Sequence, residues 1–180
     1  MQMYFMAIVL PPQLNERVLR YKHMMLEQYN CRVGLKSPAH ITIIPPFWMH
    51  PDKQPDLLQL MDQHCNSYIS FPVTTKHFSA FKPRTIFIDV VVDQQLKSFK
   101  LATDAYFTGE NMYGIKTEKR PFHPHITIAT RDLSKTAFAE AWKHFEALQF
   151  EERFEATGLA TLTHNQKNWD VIHTSQFKNI

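Results

Sequence analysis

The chain has 180 residues, 44% hydrophobic and 21% charged, with a net charge of +3. That is an ordinary soluble composition for one domain or two small intimate lobes, and no apolar run approaches membrane-spanning length. Four glycines are too few for a glycine-rich phosphate loop, and two cysteines, Cys31 and Cys65, make no disulfide framework. They read as plain thiols of a reducing compartment. A chain of this length buries about 70% of its unfolded surface, so it needs neither disulfide nor metal for stability. The mildly basic balance suits an anionic substrate without requiring one.

Residues 4–10 are a continuous apolar run, which predicts a strand buried on both faces. The run lacks a basic leader and stops at Pro11-Pro12, so it reads as a first strand and not a signal peptide, with a cytoplasmic location as the expectation. The two prolines open a helix whose stripe is Leu14, Val18, Tyr21, Met25 and Tyr29. A loop over 31–38 leads into a strand at 40–44, which Pro45-Pro46 are expected to end. A second helix is predicted from Asp52 to Asn66, with Leu57, Met61 and Cys65 inward. Strands follow at 71–78 and, after a Lys82-Pro83 turn, at 85–92. A helix from Gln94 to Phe107 carries Leu96, Phe99, Ala102 and Tyr106 on one face. The polar stretch 108–120 is the candidate mobile loop. A strand at 125–129 precedes a helix capped by Asp132 or Ser134, with Phe138, Ala141, Trp142 and Phe145 as its buried stripe. Residues 152–163 and 168–174 read as a closing hairpin around Asn165-Gln166-Lys167.

Two of these strands begin identically, as His40-Ile41-Thr42-Ile43 and His125-Ile126-Thr127-Ile128. Alternate residues of a strand share a face, so each presents an imidazole beside a hydroxyl and turns its isoleucines into a core. The chain also repeats more widely. Phe5 to Leu14 lies over Phe87 to Leu96, and the two His-x-Thr segments fall at matched points with three more residues between the landmarks in the second half. The expectation is one domain, 1–180, made of two pseudo-symmetric lobes that bring both motifs to one cleft. A single His-x-Thr is more often a satisfied polar pair on a half-buried sheet. Two copies at matched points of a repeat favour a shared site.

Two imidazoles at opposite ends of an in-line path can cleave a phosphodiester, one neutral as base and one protonated as acid. The Thr42 and Thr127 hydroxyls can donate to the phosphoryl oxygens. Lys116, Lys119 and Arg120 are candidates to grip a phosphate, set against a solvated loop. Tyr4, Phe47, Trp48, Tyr113 and Phe122 could include a base-stacking platform, with core packing the better reading of each taken singly. His123 and His125 could be half of a zinc site, with His50, His64, Asp89 or His173 completing it. That alternative leaves His40 and Thr42 unexplained.

The segments Ala39 to Phe47 and Arg120 to Thr130 resemble the two-histidine phosphoesterase superfamily, and within it the 2′–5′ RNA ligase-like group, over nearly the whole chain. The resemblance implies an α+β bilobal duplicated fold, two antiparallel sheets with flanking helices around a central cleft. It implies that His40 and His125 are the acid–base pair and that Thr42 and Thr127 bind phosphate. It further implies a metal-independent monomer without cofactor, acting on 2′,3′-cyclic phosphates or 2′–5′ linkages of RNA ends and nucleotides. Arg120, Phe122, Phe47 and Tyr4 are the secondary substrate-binding candidates. Members often carry Arg two residues past the Ile-Thr-Ile run, where this chain has Thr130 followed by Arg131. A non-catalytic RNA-end or nucleotide-binding module on the same fold is the alternative from another class.

Overall fold

The computed structural model describes residues 1–109, 113–116 and 118–178. Strand β1 (Gln2–Val9), helix α1 (Pro12–Tyr29), β2 (His40–Met49), α2 (Gln54–Cys65) and β3 (Phe71–Phe81) form the first run of elements. Then come β4 (Thr85–Val90), α3 (Gln94–Thr108), β5 (His125–Ala129), α4 (Lys135–Phe145), β6 (Arg153–Ala156), β7 (Gly158–His164) and β8 (Trp169–Gln176). The strands make two four-stranded antiparallel sheets, in the orders β2-β1-β7-β8 and β5-β4-β3-β6. Each sheet therefore has a His-x-Thr strand on its edge, with the repeat-equivalent strand, β1 or β4, next to it.

The lobes are not the two halves of the chain. Strand β3 follows the first motif yet pairs with β4, and β7–β8 return at the end to pair with β1. Helices cross as well: α1 packs against β5 and α3 against β2. Each His-x-Thr strand is thus covered by a helix from the other half, which ties both lobes into one core. Ile41, Ile43, Ile126 and Ile128 point into that core and are at most 1% exposed. Each such burial stabilises the fold by roughly 1.5–3 kcal/mol.

Two of the departures from the sequence reading bear on how the sheets are built. Pro45-Pro46 do not end β2, which runs on to Met49. The pairing with β1 slips between Tyr4↔Phe47 and Met6↔Ile44, and β2 is an edge strand, so prolines at the bulge interrupt no second ladder. The segment 152–163 is two strands in different sheets, broken at Thr157. A Cβ at Gly158 would come within 2.5 Å of the Ser175 carbonyl, so only glycine lets the chain cross there. Ser134 caps α4, its hydroxyl accepting from Ala137 N–H, whereas Asp132 serves a different loop. The stretch 108–120 falls partly outside the described residues, and its expected mobility with it. Among the described residues no helix is long and apolar enough to cross a membrane.

Candidate active site

The loop between α1 and β2 is fastened to the segment that follows β5. The Asp132 carboxylate accepts from Arg32 and Val33 N–H at 2.8 and 3.1 Å and from the Cys31 thiol at 2.9 Å. Gly34 then lies so flat on β5 that a Cβ there would sit 2.1 Å from the Ile128 carbonyl. These contacts draw the two motif strands together around a cleft of about 420 Å³. His40 and Thr42 line it from β2, and Thr127, Thr130 and Arg131 from β5 and the turn beyond.

His125 shares the face of Thr127 on β5. The two imidazoles are held alike. His40 Nδ1 donates to the Pro38 carbonyl at 2.7 Å, and His125 Nδ1 to the His123 carbonyl at 2.7 Å. A carbonyl can only accept, so Nδ1 carries the proton in each neutral ring and the lone pair resides on Nε2. Phe5 and Phe87, matched by the repeat, lie against His40 and His125 with ring centroids 4.9 and 5.0 Å away.

The rings differ electrostatically. Burial pushes His40 down to about 4, and the charges of Lys22 and of a protonated His125 act in the same direction, against the Pro38 hydrogen bond. Burial also lowers His125, with the charge of a protonated His123 in the same direction, and there the His123 carbonyl and, less strongly, the Asp89 carboxylate oppose it. Asp89 stands opposite His125 in the ladder and accepts from His123 Nε2 at 3.0 Å. The cleft lining also holds Lys36, Arg131 and His164, and among the described residues no carboxylate.

The secondary candidates fall elsewhere. Arg120 is an exposed side chain paired with Glu118 at 3.1 Å, outside the cleft lining, whereas Arg131 lines it. Arg131 has φ 56, a left-handed backbone rarely taken by a side-chain-bearing residue and frequent at functional sites. Tyr4 and Phe47 are core residues, 1% and 5% exposed and stacked on each other, with the Tyr4 hydroxyl donating to Gln54. Neither is a base-stacking platform, because the inward-facing register of β1 and β2 buries both. Phe122 is half-buried beneath the Lys100 ammonium, 5.6 Å from its centroid.

The aromatic wall of the cleft is Trp169, packed edge-on to Phe5 at 4.7 Å and against His164 at 4.9 Å. The sequence reading misses Trp169. Its position follows from the β7–β8 turn, where Asn165 Oδ1 accepts from Lys167 and Asn168 N–H and Gln166 takes φ 73. Of the further ligands that the zinc alternative named, Asp89 is the one beside His123 and His125. His64 is buried on Thr103, His173 bonds Asp62, His50 pairs with Asp52, and among the described residues no three metal-binding side chains converge. Burial, with Asp132 for the first and Asp62 for the second, pushes the Cys31 and Cys65 thiols up to about 12, so neither is a nucleophile near neutral pH.

Two edge strands carrying matched His-x-Thr faces, on two four-stranded sheets that meet at one cleft, define a two-histidine phosphoesterase. The model of the 2'-5' RNA ligase superfamily matches residues 10–168, and the chain belongs to that family. The solved TT0787 of Thermus thermophilus shares the fold with a TM-score of 0.72 at 17% identity, over 99% of each chain. E. coli LigT, solved in complex with 3'-AMP, superposes with a TM-score of 0.67 at 17% identity over 98% of each chain. A protein described as a phosphoesterase gives 0.64 at 16% identity, again over 98% of each. No curated protein sequence matches the chain.

Proposed function

We propose that the protein is a metal-independent phosphoesterase that opens 2′,3′-cyclic phosphates or cleaves 2′–5′ linkages of RNA ends and nucleotides. The observation that carries this reading is the twin setting of His40 and His125, each with Nδ1 committed to a carbonyl and Nε2 left for proton transfer. His40 is the base. Burial and neighbouring positive charge favour its neutral form, and no carboxylate counts among the causes acting on it. His125 is the acid, since Asp89 favours its protonated form and a bound phosphate anion would favour it further.

In this mechanism His40 Nε2 takes a proton from water as the water oxygen bonds to phosphorus. The bond from phosphorus to the ester oxygen breaks, and His125 Nε2 delivers its proton to that oxygen. Charge gathers on the phosphoryl oxygens, where the Thr42 and Thr127 hydroxyls donate and Arg131 and Lys36 supply positive charge. The nucleoside end packs on Trp169, since a base can stack on an indole face. That E. coli LigT was solved with 3'-AMP, with ATP and with phosphate supports a nucleotide phosphate as the ligand of this cleft.

Incubation with a panel of 2′,3′-cyclic nucleotides and 2′–5′ linked oligonucleotides, with chelator present and products resolved by phosphorus NMR, tests the reading. Ring opening to a single phosphomonoester supports it. Absence of turnover on every member, or turnover only after zinc is restored, overturns it.

A further inference from the structure

Lys22 faces inward from α1 and is 2% exposed. Its ammonium donates to the Ser37 carbonyl at 3.0 Å, and among the described residues no carboxylate pairs with it. A buried ammonium without an acid is costly, and burial draws Lys22 down to about 8. The mechanism above does not call on this residue, and a methionine would fill the same space without a charge.

Its position beside His40 gives it a role. The Ser37 carbonyl takes the ammonium, and the next carbonyl, that of Pro38, takes His40 Nδ1. Two consecutive carbonyls of the segment leading into β2 therefore hold an ammonium and an imidazole, and the charge of the first acts on the second. The Lys22 stem also runs under the loop, its Cγ 3.6 Å from where a Gly34 side chain would begin. The ammonium thus fixes the segment one residue before the carbonyl that holds the imidazole.

We infer that Lys22 is the positioning residue of His40: it holds the Ser37–Pro38 segment that orients the imidazole, and its enclosed charge adds to the burial that favours the neutral ring. His125 from β5 acts on His40 in the same sense once protonated. Lys36 from the loop, Arg131 from the turn after β5 and His164 from β7 share its cleft lining and are cations or become so on protonation. Of the nearby carboxylates, Asp89 is bound to His123 and Asp132 to the 31–33 loop. Solvent-facing charges such as Lys36 are screened by salt, with a Debye length of about 8 Å at physiological strength, whereas a buried charge is screened much less. At high salt the depression of His40 therefore comes from burial and from the enclosed Lys22 charge, and removing that charge isolates its share. Its catalytic consequence rests on the reading of His40 as the base, but the coupling itself does not.

An NMR titration of the His40 ring in the full chain, without substrate and at high salt, tests the inference. Lys22→Met removes the charge and the donor. Lys22→Gln removes the charge and keeps an amide donor. Both should raise the His40 midpoint by roughly one pH unit, the size of a nearby-charge effect. Where a substrate is turned over, the acid limb of kcat/KM should move up with it. A midpoint unchanged in both variants, or restored by Lys22→Gln, overturns the inference. If the variants do not fold, the wild type decides: loss of the Lys22 proton near pH 8 should give the His40 ring shifts a second, smaller step, and its absence overturns the inference. A protein inactive on every cyclic phosphate would overturn the proposed reaction and leave this coupling measurable.

Discussion

His40 and His125 are chemically the same group in unequal fields, and the inequality assigns their work. One neutral and one protonated imidazole must coexist, so the competent fraction rises and then falls with pH and kcat/KM should be bell-shaped. The two apparent values belong to the pair. The acid limb should lie well below 6.5, because burial and Lys22 depress His40 and a base works only once it has lost its proton. A bell whose acid limb sits at or above 6.5 would contradict this assignment of the base. At the nucleoside end, Trp169→Ala should raise KM for a cyclic nucleotide roughly tenfold or more, the loss expected for one base–aromatic stack, and change kcat little. Equal losses on a substrate without a base would show that Trp169 only supports the wall. The motif residues are legible in the sequence because strand alternation states which side chains share a face. Trp169, Lys36 and Lys22 are not, because their nearness to the motifs arises from pairings and packing between segments far apart in the chain.

The elements that bring the motifs together are a loop and a turn. Asp132 satisfies two backbone N–H groups and a thiol of the 31–33 segment, so Asp132→Ala removes three hydrogen bonds to a charged acceptor, one of them from the buried Cys31. The expected cost is about 1–3 kcal/mol, read as a lowered midpoint in urea unfolding. Gly34→Ala should act on the same contact by pushing the loop off the Ile128 carbonyl, and both variants should lower kcat/KM more than a remote variant of equal instability. If activity tracks stability alone, the loop does not set the geometry of the cleft. In the sequence Asp132 and Ser134 both read as helix caps because the spacing to α4 allows either. Ser134 is better placed for that, and the carboxylate turns to the loop, a choice that local spacing does not encode. Likewise Pro45-Pro46 are strand breakers in a central strand, and only the edge position of β2 spares them.

At the scale of the whole molecule, the internal repeat announces two similar α+β units and a shared cleft, and the family resemblance implies the two antiparallel sheets. It does not announce that β3 joins the second sheet while β7 and β8 close the first, since hydrophobic alternation states that a strand has an inner face and not which sheet receives it. Within that fold His64 is buried and His40 half-buried on the cleft. Burial draws both His40 and His64 down to about 4. In the unfolded chain they bind protons near 6.5, so the unfolded state gains protons first as pH falls. Stability should therefore be full above about pH 6.5 and decline toward pH 4, by up to roughly 3 kcal/mol for a fully buried ring. Thermal unfolding followed between pH 7 and 4 should show that decline, and His64→Phe, which keeps the aromatic packing, should flatten it. A Tm independent of pH over that window would show that neither imidazole is held neutral.

The measurement that bears most directly on the paired-histidine site is turnover of a 2′,3′-cyclic nucleotide by wild type, His40→Ala, His125→Ala and the double variant, all in chelator. Each single variant should lose roughly 10²–10⁴-fold, the usual worth of one acid–base group. The double variant should lose less than the product of the two, because groups that act as a unit are not additive. His123→Ala should be mild by comparison. A His40→Ala protein with near-normal turnover beside a His123→Ala protein as crippled as His125→Ala would contradict the two-histidine site.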